Sequence, residues 1–161
     1  MNIATLEKRI LLESKYLSSD INKHICNNLI KITENECSKD YGYIIEIVKI
    51  IDIIEHEIGR VNFDNIFTVL FEAKILNPLP GSEFDAIVCL IYKDGIFVNI
   101  HNKQKMLIPR KNIEEYDFNE EKNRYETKTS QIRLNDKVKV KITASQYRKK
   151  SFSCFGTLIK T

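Results

Sequence analysis

The sequence predicts an α+β chain in which a small mixed module precedes a module of short strands closed into a barrel. Three observations carry that prediction. Ile21, Ile25, Leu29 and Ile32 recur at spacings of four, four and three, the period of one helix face. Phe67, Val69, Phe71, Ala73 and Ile75 alternate with Thr68, Leu70, Glu72, Lys74 and Leu76, the period of a strand with one buried face. After Pro78 and Pro80, which cannot donate to a β ladder, five short strand patterns follow one another.

Taken in order, Ile10, Leu11, Leu12, Tyr16 and Leu17 suggest a first strand over Arg9 to Leu17. Ser18-Ser19-Asp20 then supplies an N-cap for the helix, whose outward positions are Asn22, Lys23, Asn27 and Lys31. Asn35 to Asp40 is polar and turn-like, and Tyr41-Gly42-Tyr43 opens an apolar run from Ile44 to Ile54. As a helix, this run would line up Ile44, Ile47, Val48, Ile51 and Ile54 against Glu46, Lys49 and Asp52. Seven Ile and one Val in eleven positions favour a strand instead, because β-branched side chains lose rotamer freedom in helices. The run holds more apolar residues than a one-faced strand needs, so its surplus face is expected to meet a partner or the second module. Glu55 to Asn65, with Gly59-Arg60, predicts an exposed connection to the Phe67 strand.

The five later strands are expected at Phe84 to Lys93, Ile96 to His101, Lys105 to Ile108, Lys137 to Ala144 and Phe152 to Ile159. In the fourth, Val138, Val140 and Ile142 alternate with Lys137, Lys139, Lys141 and Thr143, giving a core face and a ladder of lysines. Five such strands are the count of an OB-type barrel. The acidic stretch Glu114 to Ser130 reads as a loop insertion with room for one helical turn, and the chain shows neither an internal repeat nor a low-complexity segment.

Composition narrows the function classes. The 161 residues are 43% hydrophobic and 29% charged, with a net charge of +3, so bulk charge does not by itself announce a nucleic-acid partner. Cys26, Cys37, Cys89 and Cys154 are scattered, with no C-x-x-C pair, which suits a reduced intracellular protein. No stretch approaches the roughly 20 apolar residues that span a bilayer, so a soluble, unexported chain with no membrane partner is expected. His24, His56 and His101 lie far apart and no cluster has metal-ligand spacing, so neither catalytic residues nor a cofactor nor a metal is expected.

Nucleic-acid contact has better support. Arg133, Lys137, Lys139, Lys141, Arg148, Lys149, Lys150 and Lys160 are opposed in that stretch only by Asp136, and Tyr92, Phe97, Tyr147 and Phe152 are expected nearby in the barrel. Lysines for phosphates beside aromatics for bases make an RNA-binding face, with Tyr92, Phe97, Lys137, Lys139, Lys141, Tyr147, Arg148 and Lys149 as candidates. The bland alternative is a solvated strand face, since exposed lysines also block edge pairing.

The order of these motifs resembles one family, the stalk subunit of multisubunit RNA polymerases, which comprises the seventh subunit of RNA polymerase II and its archaeal counterpart. The carrying residues are Glu36-Cys37-Ser38-Lys39-Asp40-Tyr41-Gly42-Tyr43-Ile44, Gly59-Arg60, and the series Ala73, Pro78, Gly81, Glu83, Val88 and Gly95-Ile96-Phe97-Val98. Met106-Leu107-Ile108-Pro109, Lys137 to Ile142 and Phe155-Gly156-Thr157-Leu158-Ile159 continue it, while Ala86 departs from a common glycine. The resemblance implies an RNP-like tip domain over residues 1–78 and an OB-fold RNA-binding domain over residues 79–161. It implies a noncatalytic subunit that docks on the polymerase core at the clamp region of the largest subunit through Tyr41, Gly42, Tyr43, Gly59, Arg60 and Phe63. It further implies pairing with a fourth-subunit-type partner, contact with nascent single-stranded RNA, and residence in the nucleus or, for a viral homologue, in the virion and viral factory. The rival expectations are a free-standing OB-fold RNA-binding factor of translation or RNA metabolism, and an enzyme that uses the barrel groove.

Overall fold

In the computed structural model, which describes residues 2–13, 20–34, 36–59 and 64–159, the chain divides into two units, Met1–Asn77 and Pro78–Thr161.

The first unit contains β1 (Asn2–Leu12), α1 (Ile21–Thr33), β2 (Cys37–Ser38), β3 (Gly42–Ile58) and β4 (Asn65–Leu76). They form a four-stranded antiparallel sheet in the order β1-β4-β3-β2. The alternation of β4 sends Phe67, Val69, Phe71, Ala73 and Ile75 into a core shared with Ile25 and Leu29 of α1. Ile32, expected on the inner helix face, is exposed, and Thr33 is buried in its place. Thr33 continues the four-residue spacing from Ile25 and Leu29, and its hydroxyl donates to the Leu29 carbonyl at 2.7 Å, which satisfies it inside the core. Asp20 caps the helix through its carbonyl, which accepts from Lys23 and His24. Ser18 and Ser19 lie outside the described residues.

The first strand departs from the sequence expectation: it runs from Asn2 to Leu12 and so begins well before Arg9, while Tyr16 and Leu17 lie outside the described residues. Its inward row is Ala4, Leu6, Lys8, Ile10 and Leu12, and the lysine in that row hid the alternation. Eleven register pairs with β4, among them Leu6 opposite Phe71, hold it in place.

β3 overturns two expectations. The strand continues through Glu55 to Ile58, so the connection to β4 is only Gly59 to Asp64, closed by the Gly59 N–H on the Asp64 carbonyl at 2.8 Å. The run also does contain a repeat, because four register shifts fall at Ile44/Glu46, Ile47/Lys49, Ile50/Asp52 and Ile53/Glu55. Ile44-Ile45-Glu46, Ile47-Val48-Lys49, Ile50-Ile51-Asp52 and Ile53-Ile54-Glu55 are successive triplets, each with one bulged residue that has no partner on β4. The first residue of each triplet packs on the core. The third faces away, where Glu46 pairs with Lys74 at 3.1 Å and Lys49 with Glu72 at 3.9 Å. The middle residues are the surplus apolar set, and Val48, Ile51 and Ile54 are 43–50% exposed. A three-residue period matches neither a helix nor a flat strand, which is why the run read ambiguously.

In the second unit, β5 (Glu83–Tyr92), β6 (Gly95–Ile100), β7 (Gln104–Pro109), β11 (Lys137–Arg148) and β12 (Ser151–Leu158) close into a barrel in the order β11-β12-β7-β6-β5. The five expected strands are these five, with β11 extended to Arg148. Val88, Ile96, Val98, Met106, Ile108, Val140 and Ile142 fill the interior. Gly156 lies where a Cβ would meet the Lys141 carbonyl and the Met106 sulfur at 2.5 Å, so the wall of the barrel has no room there for a side chain.

The acidic stretch is not a loop. After a 3₁₀ turn at Arg110–Asn112, β8 (Asp117–Asn119), β9 (Arg124–Glu126) and β10 (Gln131–Ile132) form a meander in the order β10-β9-β8. These strands are two or three residues long, too short for any period to register in the sequence. Their anchors are single buried side chains, Tyr125 and Ile132, with Ile113 just before them. The Tyr125 hydroxyl reaches the carbonyls of Tyr92 at 2.5 Å and Lys93 at 2.8 Å, tying the meander to the turn between β5 and β6.

Candidate nucleic-acid interface

The outward face of the barrel is built by cross-strand register. Leu90 lies opposite Phe97, Phe97 opposite Leu107, and Leu107 opposite Phe155. These pairs make one apolar row across β5, β6, β7 and β12, in which Leu90 is 39% and Phe155 46% exposed. Of the four, sequence reasoning selected only Phe97 for RNA contact. Cys154 and Gly156 point inward, so Phe155 between them must point out; that alternation was the available signal.

Two aromatic pairs lie on the same barrel. Tyr92 meets Phe97 edge-on with centroids 6.1 Å apart, and Tyr147 meets Phe152 edge-on at 5.1 Å. Strand pairing brings both together: Tyr92 ends β5 opposite Gly95, and Tyr147 faces Phe152 across the β11–β12 hairpin. The tip of that hairpin is Lys149-Lys150, both with positive φ, at 52° and 62°. Two such residues define the I′ turn that Asn-Gly ordinarily fills, and here the turn carries two cations beside Arg148.

The lysine ladder is less electropositive than the sequence suggested. Lys137, Lys139 and Lys141 are exposed on β11, but their β5 neighbours are Ile87, Asp85 and Glu83 respectively. Lys139 and Lys141 thus each face a carboxylate, 54 and 58 residues earlier in the chain respectively, leaving Lys137 as the cation of the three with an apolar neighbour. Asp136, the acid expected to oppose them, instead accepts the Arg133 N–H at 2.9 Å and shapes the preceding turn.

The eight RNA candidates therefore fall in three places: Tyr92 and Phe97 at one end of the apolar row, Tyr147, Arg148 and Lys149 at the hairpin tip, and the three lysines on β11. Lys137 and Lys139 also line a groove beneath the meander.

In the first unit, Tyr41 is half-buried, and its hydroxyl donates to Glu36 Oε1 at 2.8 Å. Lys8 Nζ pairs with the same carboxylate and lies 5.9 Å from the Tyr41 ring centre. Burial raises the Tyr41 hydroxyl above its usual range, with Glu36 adding to the effect. Burial lowers Lys8, but its bonds to Glu36 and Tyr41 outweigh that and hold it above its ordinary value. Gly42 has φ 75°, and a Cβ there would run into the Leu76 backbone. Tyr43 pairs with Cys37 and Leu76. These three candidates thus maintain the unit's own fold. Gly59 sits at the β3 end of the hairpin, while Arg60 and Phe63 lie outside the described residues.

Among the described residues, no three His, Cys, Asp or Glu side chains gather to hold a metal. His56 stacks on Phe67 at 4.3 Å and bonds Asn65 at 2.9 Å, a structural arrangement. No helix among the described residues is long and apolar enough to cross a membrane.

Residues 78–155 match the S1 RNA binding domain, so the barrel and its meander together correspond to one known module. Over 95% of this chain and 89% of each relative, the sequence is 24% identical to DNA-directed RNA polymerase II subunit 7 of Arabidopsis thaliana and 20% identical to DNA-directed RNA polymerase II subunit RPB7 of Glycine max. The apo form of Mycoplasma genitalium RNase R overlaps 50% of this chain and 13% of its own length, with 22% identity and a TM-score of 0.42, too low to bear on the fold. With relatives that span both units and an S1 match in the second, the chain is similar over nearly its whole length to RNA polymerase II subunit 7.

Proposed function

We propose that this chain is a noncatalytic stalk subunit of a multisubunit DNA-dependent RNA polymerase, acting by binding and positioning. The first unit docks at the clamp region of the largest subunit, and a fourth-subunit-type partner packs beside it. The second unit contacts nascent single-stranded RNA. The observation that carries the RNA part is the row Leu90, Phe97, Leu107 and Phe155 on an S1 module. An OB-type barrel offers its second and third strands, here β6 and β7, to single strands, and exposed aromatics there stack bases whatever their sequence. Cations at Lys149 and Lys150 and on Lys137 supply phosphate contacts at the margins.

Protein docking draws support from the bulged strand. Val48, Ile51 and Ile54 form an exposed apolar line on β3, and β2 pairs with that strand only at Gly42 and Tyr43. A long apolar edge left open invites aggregation, so a partner that covers it within the assembly is the expected remedy.

Native purification under gentle salt tests the assignment, with polymerase subunits expected in the same fraction. Recovery as a monomer free of every polymerase subunit would overturn it and favour a free-standing RNA-binding factor. Charge reversal at Lys139 and Lys141 should also weaken crosslinking to nascent RNA, and unchanged crosslinking would remove those two lysines from the RNA face.

A further inference from the structure

The apolar row does not end the receptive surface of the second unit. On β6, Asn99 follows Phe97 by two residues and shares its face, about 7 Å further along the strand. Asn99 pairs across the sheet with Ile87, which in turn pairs with Lys137. Asn99, Ile87 and Lys137 all line a groove of about 1030 Å³ between the barrel and the meander. The groove therefore begins one row of side chains beyond the aromatic face, close enough for a strand lying on that face to continue into it.

The chemistry of the lining is specific. Asn99, Asn102 and Gln131 bring amides and Thr129 and Ser130 bring hydroxyls, over an apolar floor of Ala86, Ile87, Ile132, Val138, Leu158 and Ile159. Lys137 and Lys139 stand at the β11 side, with Asp85 opposite Lys139 and Glu115 also in the lining, so Lys137 is the lysine left to meet a phosphate. The meander rim is braced from within: Thr127 Oγ1 accepts the Ser130 N–H at 3.0 Å, and the Thr127 N–H donates to the Ser130 carbonyl at 2.8 Å. Amides and hydroxyls suit base edges and the 2′-hydroxyl, and lysines suit phosphate. The volume fits one or two nucleotides, since small-molecule sites run from about 300 to 1,000 Å³.

We propose that the groove under the meander is a second nucleotide subsite, taking the one or two RNA residues that follow those on the Phe97–Phe155 row and favouring ribose over deoxyribose. The assignment rests on the RNA-contact function proposed above. It gives the acidic insertion a role, as the wall of a pocket that a bare five-stranded barrel would not have.

The test is fluorescence anisotropy with labelled oligo-U of four and eight residues and oligo-dT of eight. Wild-type protein is expected to bind the eight-residue RNA about tenfold more tightly than either other probe. Thr129→Trp fills the groove from an exposed position and should bring the long RNA down to the affinity of the short one, leaving the short one unchanged. Lys137→Ala should lower the salt slope for the long RNA by about 0.7, the value of one single-strand phosphate contact. If the Trp variant melts early, the double variant Gln131→Ala/Lys137→Ala carries the same comparison. Long-RNA binding insensitive to groove variants yet weakened by Phe97→Ala overturns the subsite and leaves the RNA face standing. No binding of any probe by wild-type protein overturns both. Intact RNA binding with loss of polymerase association in Thr129→Trp assigns the groove to a protein and also overturns the proposal.

Discussion

Lys139 on β11 stands directly across from Asp85 on β5. The pair sits on an exposed face, where a neighbouring carboxylate cancels much of the attraction a lysine would offer to phosphate. Asp85→Asn should therefore strengthen oligo-U binding by about two- to threefold at low salt, and Lys137→Ala should weaken it more than Lys139→Ala. Anisotropy titrations across a salt series check both; equal losses from the two lysines would show that the carboxylate is without effect.

Tyr125→Phe removes the hydroxyl that ties the meander to the β5–β6 turn. Because the ring stays buried and the carbonyls of Tyr92 and Lys93 lose their donor, a loss of about 1–2 kcal/mol is expected. Faster amide exchange in residues 117–132, with barrel exchange little changed, would be the accompanying signature.

Burial also raises the Tyr125 hydroxyl above its ordinary range, with Asp94 adding to the shift. A phenol whose folded pKa exceeds its unfolded value contributes stability that is complete below about pH 10 and falls as pH rises from there through the folded value. Thermal melts should decline above about pH 10, and Tyr125→Phe should flatten part of that decline. An unaltered alkaline slope in the variant would assign the loss elsewhere, Tyr41 in the first unit being the other raised phenol.

Gly42→Ala should be among the most damaging single changes in the first unit. The residue has φ 75°, and the added carbon meets the Leu76 backbone, which cannot move aside as a flexible side chain could. Strain and displacement together should cost about 2–4 kcal/mol, read as a fall in the urea midpoint.

The triplet pattern of β3 predicts a sharp contrast between adjacent isoleucines. Ile51→Ser alters an exposed bulge and should shift stability by no more than about 0.5 kcal/mol, while reducing recovery of the chain with polymerase. Ile50→Ser, one position earlier, strikes a residue packed on the core and should cost about 1–3 kcal/mol. Equal destabilisation by the two would contradict the bulged register.

Elements with a sustained period were legible from residue order alone. β4 and α1 declare themselves because each buries one continuous face, and the barrel strands because alternating apolar positions fall between turns. β1 was displaced because Lys8 occupies an inward position and is satisfied there by Glu36 and Tyr41, partners no local pattern reveals. Of the candidate site, the aromatics and lysines were legible as residue types, whereas Phe155 and Leu107 were not selected. Their role comes from register with Phe97, a relationship between strands.

Residue order by itself thus determined the α+β class, the five barrel strands and, through motif order, the likeness to RNA polymerase II subunit 7. Those properties follow from local periodicity and turn chemistry, which neighbouring residues dictate. Tertiary structure alone decided that the insertion is a meander, that β3 bulges every third residue, that carboxylates shadow Lys139 and Lys141, and that a groove opens beside the aromatic row. Each of these depends on which residues meet across strands, and that pairing is set by packing distant segments into one core.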